Sequence, residues 1–195
     1  MTDTTKNNEP LALESDIAFD ELIKNTQVSE SLRQEVSSFL ARESRLLDSR
    51  MYRTWHSEIL SPDITYAVVS KELRSIKERR YDQPDTVYLF NDDHRQLGIR
   101  IEHDLDPQNW RSSPLERYCR ILSNIEIGQE QGSLDLEVRS SCILTRGRRA
   151  YQVDQFFYTR TDILIRDDQG QLKLKSRYIE YPERSISGHN MLVYL

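Results

Sequence analysis

The chain has 195 residues, enough for one domain with a sizeable core, and its 32 acidic residues outnumber its 27 basic ones. The net charge of −5 gives no global attraction for a nucleic-acid backbone, and no apolar run approaches the roughly 18 residues of a membrane span. With 37% hydrophobic and 30% charged residues the surface is polar, so a partner is expected to meet it through polar and ionic contacts.

Residues 1–15 lack periodicity and are rich in Thr, Asn and Asp, which predicts a mobile arm ahead of a single domain over residues 16–195. The arm is polar, with no hydrophobic core of a secretory signal, and a cytoplasmic protein is expected. A short helix is predicted over Ile17–Lys24. The first long element is Ser31–Leu47, where Leu32, Val36, Phe39, Leu40 and Leu47 recur at helical spacing and Ser31 with Gln34 fits a capping box. Asp48-Ser49-Arg50 breaks this helix. Tyr52, Trp55 and Ile59 mark a second, shorter one, and Ser61-Pro62-Asp63 is expected to end the helical part.

From Ile64 the period changes to two. Ile64–Val69 is a β-branched run. Leu97, Ile99 and Ile101 alternate with Gly98, Arg100 and Glu102 and read as a strand. Cys119, Ile121, Ile125 and Ile127 share a parity, as do Leu134, Leu136 and Val138. Val153–Leu164 and Leu172–Tyr181 flank the turn Asp167-Asp168-Gln169-Gly170. Helices first and long strands afterwards predict an α+β architecture, with the helices packed in the concave face of one strongly bent, mainly antiparallel sheet.

Several kinds of chemistry lack their residues. A Rieske cluster takes two Cys and two His as Cys-x-His and Cys-x-x-His, and neither Cys119 nor Cys142 has that spacing. Both cysteines are expected as buried, reduced thiols. His56, His94, His103 and His189 include no pair three or four residues apart, so no local helical pair of iron ligands exists. His103, between Glu102 and Asp104, reads as a turn or interface histidine paired to a carboxylate. No glycine-rich phosphate loop or Gly-x-Ser-x-Gly elbow occurs. Arg79-Arg80 and Arg146-Gly147-Arg148-Arg149 read as solvated surface or salt-bridge partners, the latter as a turn between strands. Asp154 is a structural acid paired with an arginine or, as an alternative, a pocket acid beside Tyr52 or Tyr66.

Separated segments in collinear order carry a resemblance. They are Glu43–Asp48 with Trp55, Ser70–Arg74, Glu78–Tyr81, Glu102–Trp110 leading to Ser113-Pro114, Arg120–Ile125, Gln152–Phe156, Tyr181–Arg184 and His189–Leu195. Over residues 30–195 the chain resembles the small (beta) subunits of aromatic-ring-hydroxylating dioxygenases, especially the naphthalene dioxygenase branch. The resemblance implies a cone-shaped fold of the nuclear-transport-factor and ketosteroid-isomerase kind. It also implies a non-catalytic, structural role beside a larger alpha subunit, in a hexamer of three plus three. That alpha partner is expected to carry the Rieske [2Fe–2S] cluster and the mononuclear Fe(II), with a ferredoxin and an NADH-dependent reductase supplying electrons for cis-dihydrodiol formation. No cofactor is expected in this chain.

Charge plus a few large aromatics suits a subunit interface, and Arg74, Arg79, Arg80, Tyr81, His103, Asp104, Asp106 and Trp110 are the candidates. Trp110 either anchors in a partner's pocket or caps the open end of its own cone. Met191–Leu195 is expected as a strand or an interface element. The rival readings are a free-standing isomerase or dehydratase, and a binding protein for a small apolar ligand. The arene stays open, as does dioxygenation versus monooxygenation.

Overall fold

The computed structural model describes residues 28–71, 86–109, 115–129, 133–149, 151–182 and 190–195. The predicted arm, the helix over Ile17–Lys24, and the candidates Arg74, Arg79, Arg80, Tyr81 and Trp110 lie outside these described residues.

Helix α1, Glu30–Asp48, buries Val36, Leu40, Glu43 and Leu47, a stripe at three- and four-residue spacing. Its cap is Ser29 and not Ser31: the Ser29 hydroxyl accepts from the Leu32 amide at 3.2 Å, so the helix begins before the expected capping box. At the other end the Arg50 amide donates to Leu47 and the Met51 amide to Leu46, a Schellman motif. The left-handed position falls on Arg50, at φ 57°, where glycine is the unstrained residue. Arg50→Gly is expected to add about 0.5–1 kcal/mol and raise Tm by about 2–4 °C in differential scanning calorimetry. A fall in Tm would mean that the Arg50 cation over the Tyr52 ring outweighs the strain.

Helix α2, Tyr52–Glu58, seats Tyr52 and Trp55 in the core. Strand β1, Leu60–Lys71, follows at once. Ser61-Pro62-Asp63 therefore belongs to a strand, where the register is irregular between Leu60 and Thr65, and it does not separate a helical part from a sheet part.

Strand β2, Thr86–Asp93, and helix α3, His94–Leu105, complete the first half. The strand expected over Leu97–Glu102 is thus overturned. Leu97 and Ile101 are buried four residues apart, while the intervening Ile99 is 57% exposed. A reciprocal capping box starts α3: Asp93 accepts from the Gln96 amide at 2.7 Å, and the Gln96 side chain accepts from the Asp93 amide at 2.8 Å.

Four strands make the second half: β3, Arg117–Gln129; β4, Leu136–Arg148; β5, Gln152–Arg166; and β6, Leu172–Tyr181. The sheet order is β2-β1-β6-β5-β4-β3, antiparallel throughout except that β1 runs parallel to β6. Among the described residues α1 packs against β3, α2 against β1, and α3 against β1 and β2, in keeping with the α+β expectation.

Bulges decide which side chains turn inward. Asn124, at φ 51°, sits in a register shift of β3 between Ser123 and Glu126. The shift flips parity, so Tyr118 and Leu122 pack against the core before it, and Ile125 and Ile127 after it. Cys119 and Ile121 are consequently exposed, against the expectation of a buried thiol and a uniform apolar face. Leu134 is likewise exposed and precedes β4. In β6, Ile163 pairs with Ser176 and Leu164 with Leu174, leaving Lys175 as the extra residue. Leu174 and Arg177 are both buried as a result.

Met191–Leu195 is not a strand, and Leu192 within it is exposed. Val193, Tyr194 and Leu195 are buried in the chain's own core.

Candidate functional site

Four charged side chains are buried together in the interior. Glu43 of α1 lies between two arginines, with Arg177 Nη2 at 2.8 Å and Arg160 Nη2 at 3.1 Å from its Oε2. Asp162 accepts two bonds from Arg177, Nε and Nη2 each at 2.8 Å, and stands 3.3 Å from Arg160 Nε. Two anions and two cations balance within a cluster whose members are at most 2% exposed.

Local structure explains the meeting. Arg160 and Asp162 are two apart on β5 and share a face; Asp162 pairs across the sheet with Arg177, which the β6 bulge has turned inward. The Glu43 stripe brings its carboxylate down from α1. Further bonds saturate the group: Trp55 Nε1 donates to Glu43 at 3.1 Å, Arg160 Nε to Ser140 at 3.2 Å, and Arg177 Nη1 to the Leu195 backbone oxygen at 2.8 Å. Tyr66 donates to that same oxygen and accepts from the Leu195 amide.

Burial alone would raise the Glu43 carboxyl, but Arg177 and then Arg160 override it and hold it at about 2. A depressed folded value means stability present above the ordinary carboxylate range and lost as pH falls through 4.5 toward 2. The isolated chain is expected to lose roughly 3 kcal/mol across that window from this group, by urea unfolding. A Glu43→Gln chain should be the weaker one at pH 7 and converge with the parent near pH 2; parallel curves would refute this.

A second buried ion pair joins β4 and β5. Asp154 accepts from Arg146 Nε at 3.1 Å and Nη2 at 2.5 Å, and the two stand directly opposite on β4 and β5. Arg146 also donates to Asn190 Oδ1 at 2.7 Å. Asp154 is therefore the structural acid paired with an arginine. Arg146 is the salt-bridge partner that was one of its two expected roles, buried in β4 and not a turn residue. Tyr66 is committed to Leu195, and the Tyr52 ring packs on Tyr194 at 4.8 Å, so the imagined proton-transfer trio is spent on packing.

The expected interface run takes a different form too. Glu102–Leu105 are the last residues of α3, and Asp106 is its C-cap. The His103 side chain is 73% exposed, with Nδ1 3.9 Å from Asp104, as a histidine paired to a carboxylate. Asp104 faces the core instead and accepts from the Tyr194 hydroxyl at 2.9 Å. Burial first, and the Asp104 charge next, push that phenol up, so it stays a donor. Asp106 caps the Gln108 amide at 2.8 Å.

Among the described residues no three His, Cys, Asp or Glu side chains are placed to hold a metal ion, and no helix is long and apolar enough to cross a membrane. On the outer face, Ile121, Ile143 and Phe157 stand directly opposite one another across β3, β4 and β5, in a groove of about 590 Å³.

Residues 42–187 match the family model described as "Ring hydroxylating beta subunit". The small oxygenase component of the 2,4-dinitrotoluene dioxygenase system of Burkholderia sp. (strain RASC) is 44% identical over 165 residues, covering 84% of this chain and 85% of that one. That of the naphthalene 1,2-dioxygenase system of Pseudomonas aeruginosa is 41% identical, covering 85% and 86%. A solved naphthalene 1,2-dioxygenase with indole in its active site superposes with a TM-score of 0.85 at 37% identity, covering 91% and 93%. A scytalone dehydratase homologue from Novosphingobium aromaticivorans, at 12% identity and a TM-score of 0.54, shares the cone fold alone. The chain belongs to the family of ring-hydroxylating dioxygenase beta subunits.

Proposed function

We propose that this chain is the structural small component of the terminal oxygenase in an aromatic-ring dioxygenase system, with oxygen chemistry housed in a larger alpha subunit. The observation that carries the reading is the family match over most of the chain, with relatives named as small oxygenase components.

In this reading the alpha subunit holds the Rieske [2Fe–2S] cluster and the mononuclear Fe(II), because a cluster of that type takes the Cys and His spacing that this chain lacks. The assembly is a cytoplasmic hexamer of three alpha and three beta chains, served by a ferredoxin and an NADH-dependent reductase. Naphthalene-like and nitroarene compounds are the substrate class that its relatives' names support. His103 and Asp106, with Arg74, Arg79, Arg80, Tyr81 and Trp110, form the polar surface offered to the partner, while Asp104 serves the chain's own core.

Oxygen uptake with naphthalene or a nitrotoluene tests the division of labour. The chain alone is expected to show none, and the chain with its alpha subunit, ferredoxin, reductase and NADH should show it. Arg79→Glu combined with Arg80→Glu is expected to weaken the complex in sedimentation velocity without unfolding the chain. A complex that sediments unchanged would remove those residues from the interface.

A further inference from the structure

Helices α2 and α3 meet through two imidazoles. The His56 and His94 ring centroids are 3.8 Å apart with an interplanar angle of 43°. His56 Nε2 donates to the His94 backbone oxygen at 2.8 Å, which leaves Nδ1 as the position for a further proton. The contact is built into the backbone: a Cβ added at Gly98 would stand 3.3 Å from His56 Nε2, so glycine makes room for the ring one turn along α3. His94 is the first residue of α3, where the helix end carries positive partial charge and disfavours an imidazolium.

The surrounding charges are mostly committed. On α2, Arg53 pairs with Glu102 of α3, and Glu58 with Arg42 of α1. Asp92 of β2 pairs with Arg100 of α3. Lys173 of β6 donates to the Ser57 and Glu58 carbonyls, adding positive charge at the end of α2. Arg95, His103 and Asp104 of α3, Asp63 and Lys71 of β1, and Asp93 of β2 are the remaining charged or imidazole groups of those three elements. Asp93 is the acid whose attraction His94 feels, and it is already the N-cap of α3.

We propose that the His56–His94 pair is a proton-sensitive latch that holds helix α3 against α2 when at least one ring is neutral and releases the first turns of α3 when both are charged. Burial, then the neighbouring His56, push the His94 imidazole below its ordinary value, against a backbone hydrogen bond with His56 and the charge of Asp93. For a base whose folded value is lowered, the contact is intact at neutral pH and is lost as pH falls below the ordinary imidazole value of about 6.5. The latch reaches the core through α3. Arg100 lies over the Phe90 and Tyr194 rings, at 4.4 Å and 5.4 Å, and Asp104 holds the Tyr194 hydroxyl. Tyr194 in turn packs on Trp55 at 5.4 Å.

Backbone amide exchange at pH 7.5 and 5.5, corrected for intrinsic rates, tests this on the full chain, free and in its complex. Amides of α3 are expected to lose about tenfold more protection than those of α1 on acidification, and His94→Gln is expected to abolish the difference. Equal loss in both helices, or the same loss in His94→Gln, would overturn the proposal. Imidazole proton shifts of the unsubstituted chain give an independent readout that needs no variant. A His94 titration displaced below the ordinary imidazole value supports the latch, and one at the ordinary value overturns it.

Discussion

Glu43→Ala is expected to cost the isolated chain about 3–5 kcal/mol in urea unfolding, a large share of the roughly 5–15 kcal/mol that holds a typical domain together. The loss comes from what the substitution leaves behind. Arg160 and Arg177 keep Asp162 as their one remaining acidic partner in the cluster, and the Trp55 N–H loses its acceptor, all in the fully buried interior. The pair geometry is good, but the net worth of the intact cluster is smaller than the cost of breaking it, because ordering four charges away from water already consumes most of their attraction. Glu43→Gln retains an acceptor for Trp55 and should lose less. A loss below about 1 kcal/mol for Glu43→Ala would mean that water enters the cone and solvates the arginines.

Trp55→Ala is expected to cost about 3–5 kcal/mol by a different route, the cavity left by a fully buried indole. The ring joins three layers: it meets Tyr66 of β1 edge-on at 6.4 Å, Tyr194 at 5.4 Å, and Glu43 through its N–H. Loss of near-ultraviolet circular dichroism should accompany the fall in the urea midpoint, since Tyr66 and Tyr194 lose their fixed neighbour. Trp55→Phe should recover part of the packing but not the bond to Glu43. A small loss with an unchanged spectrum would show that Tyr52 and Tyr194 collapse into the space.

Periodicity revealed the elements that obey one period throughout. Helix α1, helix α2, β4 and β5 stand close to where apolar spacing puts them, and the α+β class follows from them. Helix α3 was hidden because Leu97, Ile99 and Ile101 satisfy alternation as well as a helical stripe. The deciding evidence was the Asp93 and Gln96 capping pair just upstream. In β3 and β6 a single extra residue reverses parity, so Ile121 faces out and Arg177 faces in. Register shifts of this kind leave almost no trace in composition.

The interior charges had one visible sign. Glu43 falls on the apolar stripe of α1, between Leu40 and Leu47, where a solvated glutamate has no place. A carboxylate at a core position demands cationic partners, and Arg160 at inward parity on β5 was available for that role. The proposed partner-facing residues rest on family resemblance, because exposed charge in a polar chain carries no address.

The most direct test of the central claim is native mass spectrometry with iron analysis of this chain co-expressed with an alpha subunit that carries Cys-x-His and Cys-x-x-His spacing. A complex with equal numbers of the two chains, and iron that follows the alpha subunit while the small chain purified alone has none, is the predicted result. A small chain that turns over an arene by itself, or that joins no such alpha subunit, would contradict it.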